Sequence, residues 1–579
     1  MQTRLFLSAA AISLIVLLAF RFGDKQKTLA ITLAEYKTKK AVSCKPDWND
    51  LKTWIEETDI PPIPGAGKHH WKISTGNDSA QFYFNQGINM YYSFHIIESM
   101  ASFKKAARFD PDCAMLYWAQ ALGYGPNIND FGYRASPDAL AALNKAKELS
   151  GKATAFEKAL INAMSVRYTS DSTDVTRAQL NQAYTGQMKK IYDKFISFPD
   201  AQALYADAMM LQHPWDLWNT DGRPKAWTPL IRTVLEKLIA KFPDHPGGNH
   251  YYIHVMEPSP YASLALPSAN RLGSTNPGLS HVVHMPSHIY LRTGNYKKGV
   301  DVNIHAVNSY QKSLPMYAPV AGADFLYVIH NLHMKTNNAM MMGNYVVADA
   351  AAAETKNSIA PDYLTIPAPM GSAVQYISAT PMMVKIRFGK WDELLQLQQP
   401  DASQVYANLL YHFGRGMAFS AKHDFDKAGK ELDKLREWMK DSSLQVPLTP
   451  FSPAIEGAKV AEQLLLGAIH LDRKLYAGAI RHFKQADSIE ANMVYNEPRD
   501  WLLSPKHYLG TAYLQSSDAA NAERTFKKDL LVNNENGWAL FGLYKALLAQ
   551  KKNAEALRVQ GRFKNAFEKA DVKLESALY

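Results

Sequence analysis

Small and aromatic residues recur along this chain at offsets that fit pairs of antiparallel helices. The first unit begins near Ala80, with Gly87 in its first helix, Phe103 and Ala106 in its second and Pro111 closing it. The order returns in 246–279 (Ala265, Ala269, Pro277), 280–313 (Gly294, Tyr296, Ala306) and 329–362 (Gly343, Tyr345, Ala348, Ala352). Four further copies follow, marked by Gly416, Phe425 and Ala428; by Gly467, Tyr476, Ala479, Phe483 and Ala486; by Gly510, Tyr513, Ala522 and Phe526; and by Trp538, Gly542 and Ala554. Small residues let the two helices of a hairpin approach, and aromatics fill the gaps between hairpins. No stretch alternates apolar and polar residues as a half-buried strand does, so the prediction is all-α.

A period near 34 residues with these offsets resembles the tetratricopeptide repeat. The resemblance covers roughly residues 80–570 and implies an α-solenoid of stacked antiparallel helical hairpins. Residues 80–245 read as N-terminal hairpins with insertions at Gly125–Asn127 and Asp171–Asp174, 246–362 as a histidine-rich set, and 363–579 as C-terminal repeats. Residues 28–79 read as a tether and lead-in, with the turn-rich Pro61-Pro62-Ile63-Pro64-Gly65. Residues 1–27 read as a signal peptide or signal anchor: Arg4 precedes an apolar run from Leu5 to Phe20, short for a membrane span. The body of the chain is therefore expected in the cell envelope, exported or held by an N-terminal membrane anchor.

Composition narrows the chemistry. With 47% apolar and 20% charged residues the chain is an ordinary globular one, and its 64 Lys and Arg against 54 Asp and Glu are scattered over helix faces. That excludes a nucleic-acid surface. Only two cysteines occur, Cys44 and Cys113, too few for a cysteine–zinc site; as a pair they are either free thiols or one bridge. There is no G-x-S-x-G, G-x-x-x-x-G-K, G-x-G-x-x-G or H-E-x-x-H, so serine-hydrolase, P-loop and dinucleotide readings have no support.

Nine of the eighteen histidines fall between His245 and His333. His250 and His254 recur 34 residues later as His284 and His288, and His281 and His284 recur as His330 and His333. Spacings of three, four and seven place His250, His254 and Glu257 on one helical face, and likewise His281, His284 and His288. By likeness to the repeat, these positions face the concave groove. An i,i+4 histidine pair chelates a metal, and a neighbouring helix supplies further ligands. The candidate ligands are His250, His254, Glu257, His281, His284, His288, His330 and His333, with Glu257 completing a site or acting as general base. Such a set suits a divalent transition metal: copper, iron or zinc. Met256, Met285 and Met334 lie close in sequence and read as core.

Secondary candidates are His95 with Glu98, read as a hairpin cap; His213, Trp215 and Asp216 in an irregular segment; and Glu497, placed on the far wall of the groove. The stretches Gly125-Pro126-Asn127, Pro214–Trp218, His250–Glu257, His281–Tyr290 and Asn536–Leu540 resemble a group of bacterial exported tetratricopeptide-repeat proteins. That resemblance implies an architecture and no reaction. Two functions stand. One is a metal-dependent enzyme, hydrolase or oxidoreductase; the other is a scaffold holding a protein or peptide partner in a groove of histidines with Tyr251, Tyr252 and Tyr290.

Overall fold

The computed structural model describes residues 48–130, 133, 136–171, 174–323 and 325–579. The expected signal segment and Cys44 lie outside the described residues. The fold is all-α: helices succeed one another from Trp48 to Ala566, and among the described residues the only β-type pairing is one bridge between Trp218 and Pro224. No helix among them is long and apolar enough to cross a membrane.

Each of the eight repeat units forms an antiparallel hairpin. The first pairs Asp78–Tyr92 with Ile96–Phe109. The histidine-rich set pairs Pro246–Met256 with Leu266–Thr275, the broken helix Ser280–His284 and Pro286–Arg292 with Tyr296–Ser313, and His330–Met341 with Tyr345–Asn357. The C-terminal pairs are Val405–Ala421 with Phe425–Trp438, Ala454–Asp472 with Tyr476–Asn492, Pro505–Gln515 with Ala519–Val532, and Gly537–Ala549 with Asn553–Ala566. The aromatics sit inside their own hairpins as well as between hairpins. A Cβ at Gly87 would lie 2.5 Å from the Phe103 ring, and one at Gly510 would lie 2.5 Å from Phe526, which also abuts Gly542 of the next hairpin.

That pinning yields a prediction. Alanine is the better helix former by about 1 kcal/mol, but the Phe526 ring held between two glycines has nowhere to move. Gly510→Ala is therefore expected to destabilise by a net ~1–2 kcal/mol through overpacking. A chemical denaturation midpoint equal to or above that of the wild type would contradict this packing.

The lead-in is folded from Trp48 onward, beginning with the Trp48–Glu57 helix. Its proline-rich backbone cannot pair with itself, and side-chain amides of the first hairpin take it up instead. Gln86 Oε1 accepts from the Ile63 N–H at 2.8 Å, Gln81 Nε2 donates to the Trp71 carbonyl at 2.9 Å, and Asn89 Nδ2 donates to the His69 carbonyl at 2.8 Å. Trp71 is buried against Phe84, Trp118 and Phe156.

One hydrophobic core runs from Trp48 to Tyr327 and a second from Tyr296 to Ala577. The histidine-rich hairpins lie where they meet. On one side Asn276 Nδ2 donates to the Ala66 carbonyl at 2.8 Å, and on the other Trp538 Nε1 donates to the Met340 carbonyl at 2.9 Å. The expected open groove is consequently covered. His250, His254, His281, His284 and His288 are each at most 2% exposed.

Candidate metal centre

The helices deliver the histidines to one place, though not as a single continuous face. Pro246–Met256 carries His250 and His254 one turn apart. The expected helix through His281, His284 and His288 is interrupted at Met285–Pro286, because proline has no N–H for the helical ladder. His330 opens its helix directly after a π-helical turn, Phe325–Ile329.

Two triads result. In the first, His250 Nε2 lies 3.1 Å from His254 Nε2 and 3.1 Å from His281 Nε2. In the second, His284 Nε2 lies 2.7 Å from His288 Nε2 and 3.0 Å from His330 Nε2. Nitrogens sharing one metal at about 2.0–2.1 Å stand roughly 3.3 Å apart in tetrahedral geometry, so small shifts suffice.

The other ring nitrogens decide what these contacts are. His250 Nδ1 lies 2.7 Å from the Tyr92 carbonyl, His254 Nδ1 lies 2.9 Å from Glu257 Oε1, and His284 Nδ1 lies 2.6 Å from Asn303 Oδ1. His288 Nδ1 lies 2.9 Å from Glu257 Oε2. Asn303 Nδ2 donates to the Gly299 carbonyl at 2.7 Å, which orients its oxygen toward the ring. The first three contacts are hydrogen bonds to acceptors. The carboxylate beside His288 Nδ1, though not aligned for a hydrogen bond, favours a proton there too, so each Nε2 presents a lone pair. Burial, with the neighbouring rings next, holds His250, His281, His284 and His330 well below the usual imidazole range; burial also lowers His254. The His250–His254 and His284–His288 contacts therefore set lone pair against lone pair, which a shared cation resolves.

Glu257 stands behind the rings rather than among their Nε2 atoms. Oε1 accepts from His254, and Oε2 accepts from the Tyr495 hydroxyl at 2.9 Å beside His288. Burial works to raise its pKa, but His288 and His254 hold it well below the usual carboxylate range. Its two oxygens thus face His254, His288 and the Tyr495 hydroxyl. Its place is that of a bridge tying one histidine of each triad.

His333 joins neither triad; burial lowers its pKa to about 4, and it lines the cavity next to them. His95 is a positioning group: Nδ1 lies 2.7 Å from Glu98 Oε1, and Nε2 accepts from the His281 backbone N–H at 3.3 Å. Glu497 does line the far wall, with Oε1 3.6 Å from His288 Nδ1 and Oε2 4.0 Å from His330 Nε2. Trp215 meets His254 edge-on at 5.2 Å, whereas His213 stacks on Trp227 and Asp216 pairs with Lys225 at 2.9 Å, away from the triads. Met256, Met285 and Met334 are buried core residues.

The sequence did not single out Phe94, Asn303 or Tyr495. Phe94 sits at φ 55° and lays its ring 4.5 Å from His250, 5.5 Å from His281 and 5.8 Å from His254. No spacing signal marks Phe94 and Tyr495, brought in from other parts of the chain, or Asn303, on the second helix of the His284 hairpin. A third polar cluster, His69, Asp200 and His245, has different chemistry. His245 Nδ1 accepts from the Gly248 N–H at 3.0 Å, so its Nε2 carries the proton and faces Asp200 at 3.4 Å. That cluster is a hydrogen-bonded clamp, joined by the Tyr92 hydroxyl donating to Asp200 at 2.9 Å.

No family model and no curated protein matches this chain. Among solved structures, the human IFIT1 dimer with m7Gppp-AAAA aligns at TM-score 0.30 and 10% identity, covering 86% of this chain and 92% of that one. Yeast Tom70 aligns at TM-score 0.27 and 12% identity, covering 82% and 90%. The P58(IPK) TPR domain aligns at TM-score 0.20 and 10% identity, covering 82% and 99%. Likenesses this distant carry no argument about the chemistry of this chain.

Proposed function

We propose that this protein is a metal-dependent enzyme holding two transition-metal ions, one in His250, His254 and His281 and one in His284, His288 and His330. The observation that carries the reading is the apposition of unprotonated Nε2 atoms in both triads, 3.1 Å apart for His250–His254 and 2.7 Å for His284–His288. Buried polar groups without partners are costly, and converging lone pairs are worse than partnerless. Copper heads the affinity order for neutral imidazole sets. Neither triad contains a carboxylate, which disfavours the two-histidine, one-carboxylate iron arrangement. Copper ions in such ligand sets supply redox chemistry, and we therefore favour an oxidoreductase over a hydrolase. Glu257 and Asn303 act as positioning residues, holding the Nδ1 protons so that the Nε2 lone pairs converge.

The scaffold reading draws no support from the three tyrosines. Tyr251, Tyr252 and Tyr290 are 1%, 3% and 5% exposed, so they do not present a peptide-binding face.

Elemental analysis after copper reconstitution tests the proposal. The wild type is expected to hold two equivalents, and His254→Ala and His288→Ala about one each. Less than a tenth of an equivalent in folded wild type would overturn it.

A further inference from the structure

A cavity of about 400 Å³ opens against the two triads. It reaches His281 of the first and His330 of the second, with His333 and Glu497 beside them. The opposite wall is apolar and aromatic, built chiefly from Met370, Tyr376, Ile377, Tyr406 and Phe451 of the C-terminal half. No lysine or arginine lines it, while Glu497 and Asp500 do. The cations of this region face a separate cavity of about 500 Å³, where Arg223, Lys225, Arg292 and Arg499 sit. Trp215 borders both spaces.

We infer that the 400 Å³ cavity binds an uncharged aromatic molecule of bicyclic size and presents it to both metal centres as substrate. Its volume falls within the range of small-molecule sites, about 300–1,000 Å³. Ring walls favour a flat ring by offset stacking and area burial. In the metal-free protein an anionic ligand would face Glu497 with no lysine or arginine in the lining to offset its desolvation. The imidazoles His281 and His330 are the lining groups shared with the triads, so a ring presented to the metal centres would direct a hydroxyl toward them. As a statement about substrate, the inference rests on the metal-centre proposal; as a statement about binding, it stands on the cavity alone.

Isothermal titration with 2-naphthol and 2-naphthoate, on full-length protein with and without copper, tests it. 2-Naphthol is expected to bind at one site, and 2-naphthoate to bind the copper-free protein at least ten-fold more weakly. Ala373→Trp, which places an indole into the lining, is expected to abolish 2-naphthol binding while copper content stays at the wild-type value. Met370→Trp serves the same purpose should Ala373→Trp fail to give a wild-type circular-dichroism spectrum. Copper-loaded protein that does not bind 2-naphthol, equal binding of both probes by copper-free protein, or 2-naphthol binding untouched in a folded tryptophan variant would overturn the inference. Binding of 2-naphthol by protein that takes up no copper would support the cavity while defeating the metal-centre proposal.

Discussion

Replacing Glu257 with Gln is expected to weaken copper binding at one of the two triads by about 10–100-fold, although Glu257 belongs to neither. The carboxylate serves His254 through Oε1 and lies beside His288 through Oε2, each at 2.9 Å. An amide of the same shape has one acceptor oxygen, so only one ring keeps its Nδ1–H partner. Facing the amide NH₂, the other ring is driven to the opposite tautomer, with its proton on Nε2 where the metal should sit. The Tyr495 hydroxyl competes for the same oxygen. Competition titration against a calibrated chelator reads both sites at once. Two unchanged affinities would show that Glu257 does not organise the pair.

A second large effect lies far from the histidines. Asp529→Ala is expected to destabilise the C-terminal hairpins by about 3–5 kcal/mol, the cost of breaking a buried charged network. Asp529 is fully buried and accepts from Ser504 Oγ at 2.7 Å and from His507 Nε2, Asn533 Nδ2 and Asn536 Nδ2, each at 2.9 Å. Arg387 Nη2 donates to His507 Nδ1 at 2.7 Å while its guanidinium lies 4.7 Å from the Trp538 ring centre. Truncation orphans the buried Ser504 and His507 donors and removes one acceptor from each of Asn533 and Asn536. Burial works to raise the Asp529 pKa, but His507 first, then Lys506 and Ser504, keep it well below the usual carboxylate range. A carboxylate depressed in the folded state stabilises above its unfolded pKa, near 4, and that contribution fades as pH falls further. The difference in denaturation midpoint between wild type and Asp529→Ala should therefore be full at pH 7 and narrow below about pH 4. A pH-independent difference would contradict the network.

The sequence by itself determined the hairpins. Gly87 with Phe103 and Gly510 with Phe526 fall at offsets that only close helix pairs use, and a local periodicity of this kind survives in one dimension. It also determined that His250, His254, His281, His284, His288 and His330 congregate, because a 34-residue repeat stacks equivalent positions. It placed Glu497 on the opposing wall as well. What spacing could not carry was the division of six imidazoles into two triads. That division depends on Pro286 breaking one helix, on the π-helical turn setting the angle of His330, and on Tyr92, Glu257 and Asn303 choosing which nitrogen holds each proton. Contacts from other parts of the chain leave no trace in local periodicity, as the Phe94 ring and the Tyr495 hydroxyl show. Nor could the sequence tell an open groove from a closed chamber. The groove closes because Tyr495 and Glu497 lie more than 200 residues from Glu257 in sequence yet reach it and its histidines in space. That depends on solenoid curvature, a sum of small rotations over many hairpins that only the packed tertiary structure specifies.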